Sequence, residues 1–247
     1  MSDLPAPLLA VVVPVKNEAD NILPLIEEIE RALTNRVPFE IIYVDDGSDD
    51  ATPEILRLAR ARTGVLRVLR HARSCGQSAA VATGIKAARA PIIATLDGDG
   101  QNDPADIPAL LQTLLAEREE KRDDLLVAGL RAKRRDSGLR RLSSKIANRV
   151  RAALLKDDTP DTGCGLKLFT RTAFLDMPRF DHMHRFLPAL MIRRGGRVLS
   201  VPVNHRPRER GVSKYGVWNR LWVGIIDLFG VMWLQRRASR PQVESLE

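Results

Sequence analysis

The segment PIIATLDGDG, residues 91–100, decides the fold, because an apolar run ends directly in Asp97, Gly98 and Asp99. A run of apolar residues without polar alternation predicts a strand buried on both faces, as in a parallel sheet. In open α/β sheets ligands bind beyond the carboxyl ends of strands, so the two carboxylates face the predicted site. Two acids separated by one small residue can hold Mg²⁺ or Mn²⁺, and Gly98 permits a ligand to approach closely. Taken alone, the motif is also compatible with a solvated Asp-Gly turn.

Short apolar runs alternate with helical patterns along the chain, which predicts an α/β fold with a mostly parallel sheet covered by helices. Thr52 before Pro53 and Asp103 before Pro104 each place a capping oxygen ahead of a first-turn proline. The predicted strands are 9–15, 40–44, 65–69, 91–96, 125–129 and 197–203, and the predicted helices are 20–33, 53–62, 77–88 and 104–117.

The composition bounds the class of protein. A chain of 247 residues fits one large α/β domain with its own core. The formal net charge of +8 indicates an anionic partner, which charge alone leaves open between nucleic acid, anionic lipid and a phosphorylated substrate. Two cysteines, Cys75 and Cys164, form neither a disulfide framework nor a metal cluster and favour a reducing compartment. Residues 1–9 show no secretory signal, so we expect the catalytic part to face the cytosol.

Two later segments are amphipathic. Residues 131–156 contain ten Lys or Arg and one acid, with apolar residues at helical spacing. A second apolar stripe runs from Trp218 to Trp233 but includes Arg220 and Asp227, and it is shorter than the roughly 20 apolar residues that span a membrane. Both segments therefore favour helices that lie in the membrane interface.

This pattern divides the chain into a catalytic domain over residues 1–210, a membrane-interface helical segment over 211–240 and a tail over 241–247. It predicts a peripheral or monotopic protein at the cytoplasmic face of the inner membrane, where basic residues meet anionic lipid. The alternative is that both amphipathic segments only pack on the domain, with their charges solvated.

Polar groups also follow two other predicted strands. The first strand ends in PVKNE, residues 14–18, and the second ends in VDDGS, residues 44–48. A carboxylate at such a position can accept hydrogen bonds from a ribose or a base. Acids at three neighbouring strand ends repel one another unless a cation or a hydrogen-bonding ligand is present, which favours a ligand site.

Six segments resemble glycosyltransferase family 2, and within it the polyprenyl-phosphate sugar transferases that are similar to dolichyl-phosphate mannosyltransferase. They occur in family order and cover nearly the whole chain: VVPVKNE (12–18), VDDGS (44–48), GQSAA (76–80), DGDGQNDP (97–104), DTGCGLK (161–167) and GVSKY (211–215). The resemblance implies a GT-A fold with a Rossmann-like sheet, inversion at the anomeric carbon and Mg²⁺ or Mn²⁺ as cofactor. It implies a UDP- or GDP-linked sugar donor and an undecaprenyl or dolichyl phosphate acceptor.

The resemblance also implies roles for single residues. Asp99, with Asp97 alongside, would ligate the metal that bridges the donor diphosphate, and Gln101 would lie beside the reacting centre. The implied donor-binding residues are Pro14, Val15, Glu18, Asp45, Asp46, Asp97, Gly98, Arg208, Ser213 and Lys214. The chain carries Gly100 and Asn102-Asp103 where relatives often have Leu and His-Pro or Asp-Pro, which leaves the sugar pocket undetermined.

The acceptor decides whether a base is needed. A lipid phosphate has a second pKa near ~6 and is largely dianionic at neutral pH, so it needs little help from a base. Asp161, which matches a carboxylate sometimes assigned as base, would then orient other groups. Arg131 and Arg135 would gather the phosphate through charge-assisted hydrogen bonds, so that Asp99, Gln101, Asp161 and Arg131 form the predicted catalytic set.

Other readings stay open at this point. A saccharide hydroxyl of a cell-envelope polysaccharide or a lipid A-type glycan is the alternative acceptor, and it would require Asp161 as a true base. A nucleic-acid-binding protein is disfavoured, since aromatic residues form only 4% of the chain. The first strand–helix turn lacks the glycine spacing of a dehydrogenase. His184 is assigned a core or capping role, and the oligomeric state, with a homo-oligomer among the options, stays open.

Overall fold

The computed structural model describes residues 6–120, 124–131, 151–157, 159–207 and 217–239. Its centre is a seven-stranded sheet in the order β3-β2-β1-β4-β6-β5-β7. Only β6 runs antiparallel to its neighbours, so the sheet is mostly parallel, as predicted. The strands are β1 (Leu9–Val15), β2 (Phe39–Asp45), β3 (Leu66–Arg70), β4 (Ile92–Thr95), β5 (Leu125–Arg131), β6 (Lys167–Thr170) and β7 (Arg197–Val203).

All six predicted strands are present, with ends that differ by at most two residues from the prediction. Strand β6 was not predicted. It has four residues and begins with a buried lysine, Lys167, and its place between β4 and β5 depends on long-range antiparallel pairing that local apolar patterning does not reveal.

Helices cover both faces of the sheet. The chain forms α1 (Ala19–Leu33), α2 (Thr52–Arg62), α3 (Gln77–Ala87) and α4 (Ile107–Glu120), and later the helices Arg171–Leu175, Leu187–Arg194 and Val217–Arg236. In β1, Leu9, Val11 and Val13 pack into the core under α1 and α4, whereas Ala10 and Val12 pack into the core under α3. Two buried faces explain why the strand shows no polar alternation.

One of the two predicted helix caps is correct. The Asp103 side chain accepts a hydrogen bond from the Ala105 N–H at 3.0 Å and caps the turn that leads into α4. The prediction for Thr52 is wrong, because Thr52 is the first residue of α2 and caps nothing. Its hydroxyl instead accepts from the Glu18 N–H at 2.9 Å, which ties the loop after β1 to α2.

The part of the C-terminal helix Val217–Arg236 whose side chains the structure describes, residues 224–236, packs on the domain along one side. Val231 is fully buried in the core, and Arg193 and Gln235 hydrogen bond to backbone carbonyls across the contact with the rest of the domain. Asp227 also turns toward the domain, with its carboxylate 3.2 Å from the His182 ring. Ile226, Phe229 and Trp233 remain 69%, 63% and 60% exposed.

None of the helices within the described ranges is long and apolar enough to cross a membrane. Of the predicted basic helix 131–156, residues 132–150 lie outside the described part of the chain, and residues 151–155 are helical.

Glu40 provides a test of how the α3–β4 connection is held. This glutamate is fully buried in β2 and accepts hydrogen bonds from the backbone N–H groups of Arg89 and Ala90 at 2.6 and 3.1 Å. Replacing Glu40 with Gln weakens these charge-assisted bonds and places amide hydrogens opposite donors. We expect the free energy of unfolding, measured by urea denaturation, to fall by about 2 kcal/mol.

The matched control is Glu54→Gln, which removes a carboxylate from an exposed ion pair with Arg57. Exposed pairs contribute little, so the urea midpoint of this variant should stay at the wild-type value. Equal midpoints for the two variants would show that Glu40 does not anchor the connection.

Candidate active site

A cavity of about 780 Å³ opens at the carboxyl ends of β1 and β4. These strands are neighbours, yet the chain runs from β1 to β2 and β3 on one side and returns to β4 on the other. They therefore form the switch point at which open α/β sheets bind ligands. Of the predicted site residues, the cavity is lined by Pro14, Val15, Glu18, Asp46, Asp97, Gly98, Asp99 and Gln101.

Asp97 and Asp99 lie together on the cavity wall, as predicted from their position after β4. Asp97 accepts a hydrogen bond from the Gln77 side-chain amide at 2.9 Å, and Asp99 accepts one from the Gln101 N–H at 3.2 Å. Burial and the charge of Asp99 raise the pKa of Asp97, although Lys167 and Gln77 act in the opposite direction. Two half-buried carboxylates that repel each other and carry hard oxygen ligands fit a divalent cation.

Two glycines set the position of Asp97. A Cβ on Gly98 would overlap with the Val15 side chain and approach the Pro14 carbonyl oxygen to 3.0 Å. Glycine is thus required there by close packing against β1, in addition to any approach of a ligand. On the other side, a Cβ on Gly165 would overlap with the Asp97 carboxylate. Gly165 was not singled out from the sequence, although it lies within the DTGCGLK segment.

The carboxylates of Asp45 and Asp46 are already engaged within the protein. Asp45 is fully buried, accepts from the Ser48 N–H at 2.9 Å and lies 3.0 Å from Arg70. It does not line the cavity. Asp46 accepts four hydrogen bonds from residues 71–76, at 2.7 to 2.9 Å. Burial raises the pKa of Asp46, but these hydrogen bonds have the larger combined effect, so the pKa lies below its usual value. The carboxylate therefore stays ionised and holds the loop before α3.

Among the described residues, one cluster of three potential metal ligands is present: Asp46, His71 and Cys75, whose ligand atoms lie within 4.8 Å of one another. Both ring nitrogens of His71 are occupied, one by Asp46 at 2.7 Å and the other by the Thr83 hydroxyl at 2.9 Å. A metal held by His71 in this cluster would have to break one of these bonds.

Asp161 and Arg131 form a two-pronged ion pair next to the cavity. The Arg131 Nε and Nη2 atoms donate to the two Asp161 oxygens at 2.6 and 2.7 Å. Both side chains are largely buried, and residues 162–165, directly after Asp161, line the cavity. Burial lowers the pKa of Arg131, but the hydrogen bond and charge of Asp161 outweigh this and raise it. Both Asp161 oxygens are therefore committed to a permanent cation.

Gln101 lies beside the chain that leaves β7. Its carbonyl oxygen accepts from the Arg206 N–H at 2.9 Å, and Asn102 pairs with His205. The Arg206 guanidinium also lies 2.7 Å from Asp103. These contacts hold residues 205 and 206 against residues 101–103, which directly follow Asp97 and Asp99. Of the remaining predicted site residues, Arg135, Arg208, Ser213 and Lys214 lie outside the described ranges.

Sequence reasoning missed two polar groups of the cavity wall. Lys167 is buried, donates to the Cys164 carbonyl and lines the cavity. His184, assigned a core or capping role, instead lies on the wall with its Nδ1 atom 2.7 Å from the Ser78 hydroxyl. Ser78 lies in the segment GQSAA and Lys167 in the segment DTGCGLK, both of which resemble the family. The position of His184 depends on a contact between α3 and the turn that contains His184, and these two segments are far apart in the sequence.

Comparison with known proteins adds independent information. The family model described as Glycosyl transferase family 2 matches residues 10–177. A dodecaprenyl-phosphate galacturonate synthase of Rhizobium johnstonii is 39% identical over 238 residues, which are 94% of this chain and 69% of that protein. An undecaprenyl-phosphate 4-deoxy-4-formamido-L-arabinose transferase of Edwardsiella ictaluri is 34% identical over 212 residues, 85% of this chain and 63% of that protein. The chain thus spans about two thirds of the length of these relatives.

Solved structures agree on the fold. The glucosyl-3-phosphoglycerate synthase of Mycobacterium tuberculosis, in complex with Mn²⁺, UDP and phosphoglyceric acid, superposes with a TM-score of 0.68 at 18% identity over 95% of this chain and 80% of that chain. A mannosyltransferase of Pyrobaculum calidifontis in complex with GDP-Man and Mn²⁺ gives 0.65 at 23% identity over 96% and 66%. The predicted GT-A type of fold is confirmed.

The packing around Asp97 leads to a test of the glycine at position 165. Gly165→Ala forces the Asp97 carboxylate away from its position, because the added methyl group and the carboxylate would occupy the same space. We expect at least about tenfold weaker binding of Mn²⁺ in the presence of UDP or GDP, measured by calorimetry, from the disturbance of one ligand.

The matched control is Gly224→Ala in the C-terminal helix, where an added Cβ meets nothing within 4 Å. This variant should bind Mn²⁺ like the wild type. Unchanged binding by Gly165→Ala would exclude Asp97 from the cation site.

Proposed function

The chain belongs to glycosyltransferase family 2, and we propose that it transfers a sugar from a UDP- or GDP-linked donor to a polyprenyl phosphate. The observation that carries this proposal is the pair of carboxylates, Asp97 and Asp99, on one wall of the switch-point cavity. The two relatives described above support the acceptor, because both are named for a polyprenyl phosphate and align with most of the chain.

For the donor, we propose that Asp99 and Asp97 hold Mg²⁺ or Mn²⁺ against the diphosphate. When bound, such a cation stabilises the negative charge that develops on the departing nucleotide diphosphate. Pro14, Val15 and Glu18 at the end of β1 line the cavity, and we propose that they contact the nucleoside.

The remaining donor residues divide into two groups. Because Asp45 and Asp46 are engaged in protein contacts, we assign them to holding the strand ends and the loop before α3 rather than to direct binding. Arg208, Ser213 and Lys214 are proposed to clamp the diphosphate. This placement is supported by the anchoring of Arg206, two residues before Arg208, on Gln101 and Asp103.

For the acceptor, the ion pair of Asp161 with Arg131 favours a phosphate over a hydroxyl. The guanidinium of Arg131 donates to both Asp161 oxygens and stabilises the charged form of this carboxylate, which favours a positioning role over proton abstraction. A dianionic phosphate does not need that base, and it is attracted by the cation. We therefore propose that Asp161 orients Arg131, and that Arg131 and Arg135 bind the acceptor phosphate.

The exposed face of the C-terminal helix is proposed to contact the membrane surface. Ile226, Phe229 and Trp233 share one side of the helix, opposite the buried Val231. Aromatic rings favour the depth of the lipid headgroups, and Arg236 and Arg237 follow directly for anionic lipid. This arrangement would place the protein at the cytoplasmic membrane face, where the acceptor phosphate is located.

The central experiment incubates the purified protein with Mn²⁺ or Mg²⁺, undecaprenyl phosphate and UDP-galacturonate, UDP-glucose or GDP-mannose. We expect a new glycolipid with at least one donor, detected by mass spectrometry, and none when EDTA is added. Glycosylation of a saccharide acceptor without any glycolipid would favour the hydroxyl alternative. Absence of any product with a folded protein would contradict the proposal.

The role of Asp161 is tested by kinetics. Asp161→Asn and Arg131→Lys should each lower kcat/KM for undecaprenyl phosphate by roughly 10-fold to 100-fold, since each breaks the same orienting pair. The double variant should be little worse than either single variant, because residues in contact are not additive. Asp99→Asn should cost more, about 10³-fold or beyond, through loss of the cation. A loss for Asp161→Asn close to that of Asp99→Asn would indicate a base.

Membrane contact is tested with vesicles of phosphatidylglycerol and phosphatidylcholine. Phe229→Ser combined with Trp233→Ser should weaken cosedimentation by about tenfold or more, because two large apolar side chains lose their burial in lipid. The control is Leu58→Ser, which removes an apolar side chain that is 52% exposed on α2. Equal binding of both variants would exclude the C-terminal helix as the contact surface.

A further inference from the structure

His184 has a defined proton arrangement on the cavity wall. It lies in the 3₁₀ turn Met183–Arg185, where its backbone N–H donates to the Ser78 hydroxyl oxygen at 3.2 Å. The same oxygen lies 2.7 Å from the His184 Nδ1 atom. Among the described residues this hydroxyl has no other acceptor, so we assign its single hydrogen to the bond with Nδ1. The ring proton of a neutral His184 is therefore on Nε2.

The ring is also held neutral. Burial, together with the positive charges of Lys167, Arg185 and His182, lowers the pKa of His184 to about 3. At neutral pH the imidazole is therefore uncharged, so it can neither donate a proton as an imidazolium acid nor attract the diphosphate as a cation. With Nδ1 occupied by Ser78, its Nε2–H edge is left as a neutral hydrogen-bond donor in a cavity that His184 lines.

The first turn of α3 contacts both Asp97 and His184. Gln77 donates to Asp97, and the next residue, Ser78, holds His184. Asp97 and His184 are therefore attached to adjacent residues of one helix. A group bound between them lies next to the cation site and meets a neutral N–H, which suits the hydroxyl or ring oxygen of a sugar better than it suits a phosphate.

We propose that His184 determines donor specificity by donating its Nε2–H to an oxygen of the donor sugar, and that Ser78 acts as the positioning residue for this ring. The inference rests on the proposed function, since it requires a nucleotide sugar in the cavity. It assigns a residue of the cavity wall to the sugar of the donor. The sequence leaves the sugar pocket undetermined, because Gly100 and Asn102 differ from the residues that relatives often have there.

Paired variants separate the two ring nitrogens. The Gln side chain places an amide N–H near the position of Nε2, whereas Asn reaches only as far as Nδ1. We expect His184→Asn to weaken binding of the preferred nucleotide sugar about tenfold, as for one lost hydrogen bond, and His184→Gln to stay within about threefold of the wild type. Binding of UDP or GDP alone, measured by calorimetry, should be the same in all three proteins.

The outcomes distinguish this inference from the function on which it rests. If the wild type binds none of UDP-galacturonate, UDP-glucose and GDP-mannose, both fail. If it binds one of them and His184→Asn binds it equally well, only the role of His184 fails. Equal weakening of the nucleotide diphosphate and the nucleotide sugar would show a contact to the nucleotide, or a general disturbance of the site, and would also overturn the inference.

A second readout does not depend on binding. The protein has four histidines, so nitrogen NMR of histidine-labelled protein can assign His184 by its disappearance in His184→Gln. We expect the Nε2–H tautomer with no titration between pH 8 and pH 5, and loss of the pure tautomer in Ser78→Ala. The Nε2 signal should move on addition of the nucleotide sugar but not of the nucleotide diphosphate. A protonated ring at pH 5, or the Nδ1–H tautomer, would refute the assignment.

Discussion

The burial of Asp97 beside a second carboxylate, Asp99, is the constraint around which this cavity is organised. Two carboxylates at the end of β4 are costly unless positive charge or hydrogen-bond donors face them. Gln77 and Lys167 supply part of that compensation. Gly165 lets its segment approach the Asp97 carboxylate, and Gly98 lets the end of β1 pack against the loop that carries both aspartates. Burial and then the charge of Asp99 outweigh this compensation and leave the pKa of Asp97 raised, as expected where a carboxylate faces a ligand site.

A second set of contacts connects this pair to the rest of the wall. Asp46 gathers the loop at residues 71–76 through four hydrogen bonds, and that loop leads directly into α3. The first two residues of α3 then reach Asp97 and His184. The sequence resemblance implies that Asp46 binds the donor, but in the structure Asp46 holds the loop at the start of α3. That helix in turn positions the side chains of Asp97 and His184. Asp161 likewise has both oxygens bonded to a neighbouring side chain, that of Arg131.

The sequence predicts the sheet well where local pattern and tertiary role agree. Strand β1 is found at its predicted bounds because its apolar run is buried on both faces. Strand β6 escapes prediction because its pairing partners lie far away in sequence, and the Thr52 cap fails because another backbone group claims the hydroxyl. Position at strand ends locates Asp97, Asp99 and Gln101 on the cavity. Residue type alone does not reveal that the carboxylates of Asp45 and Asp46 hold a strand end and a loop.

The reversed direction of β6 has a consequence for how charge reaches the cavity. Because β6 is antiparallel, its first residue, Lys167, pairs with Thr95 at the very end of β4, two residues before Asp97. Side chains alternate between the two faces of a strand, so a slip of one residue in this pairing would turn the ammonium group to the opposite face and bring Leu168 into its place. The positive charge that Lys167 supplies beside Asp97 therefore depends on the register of β6 against β4, which backbone hydrogen bonds set before any ligand binds.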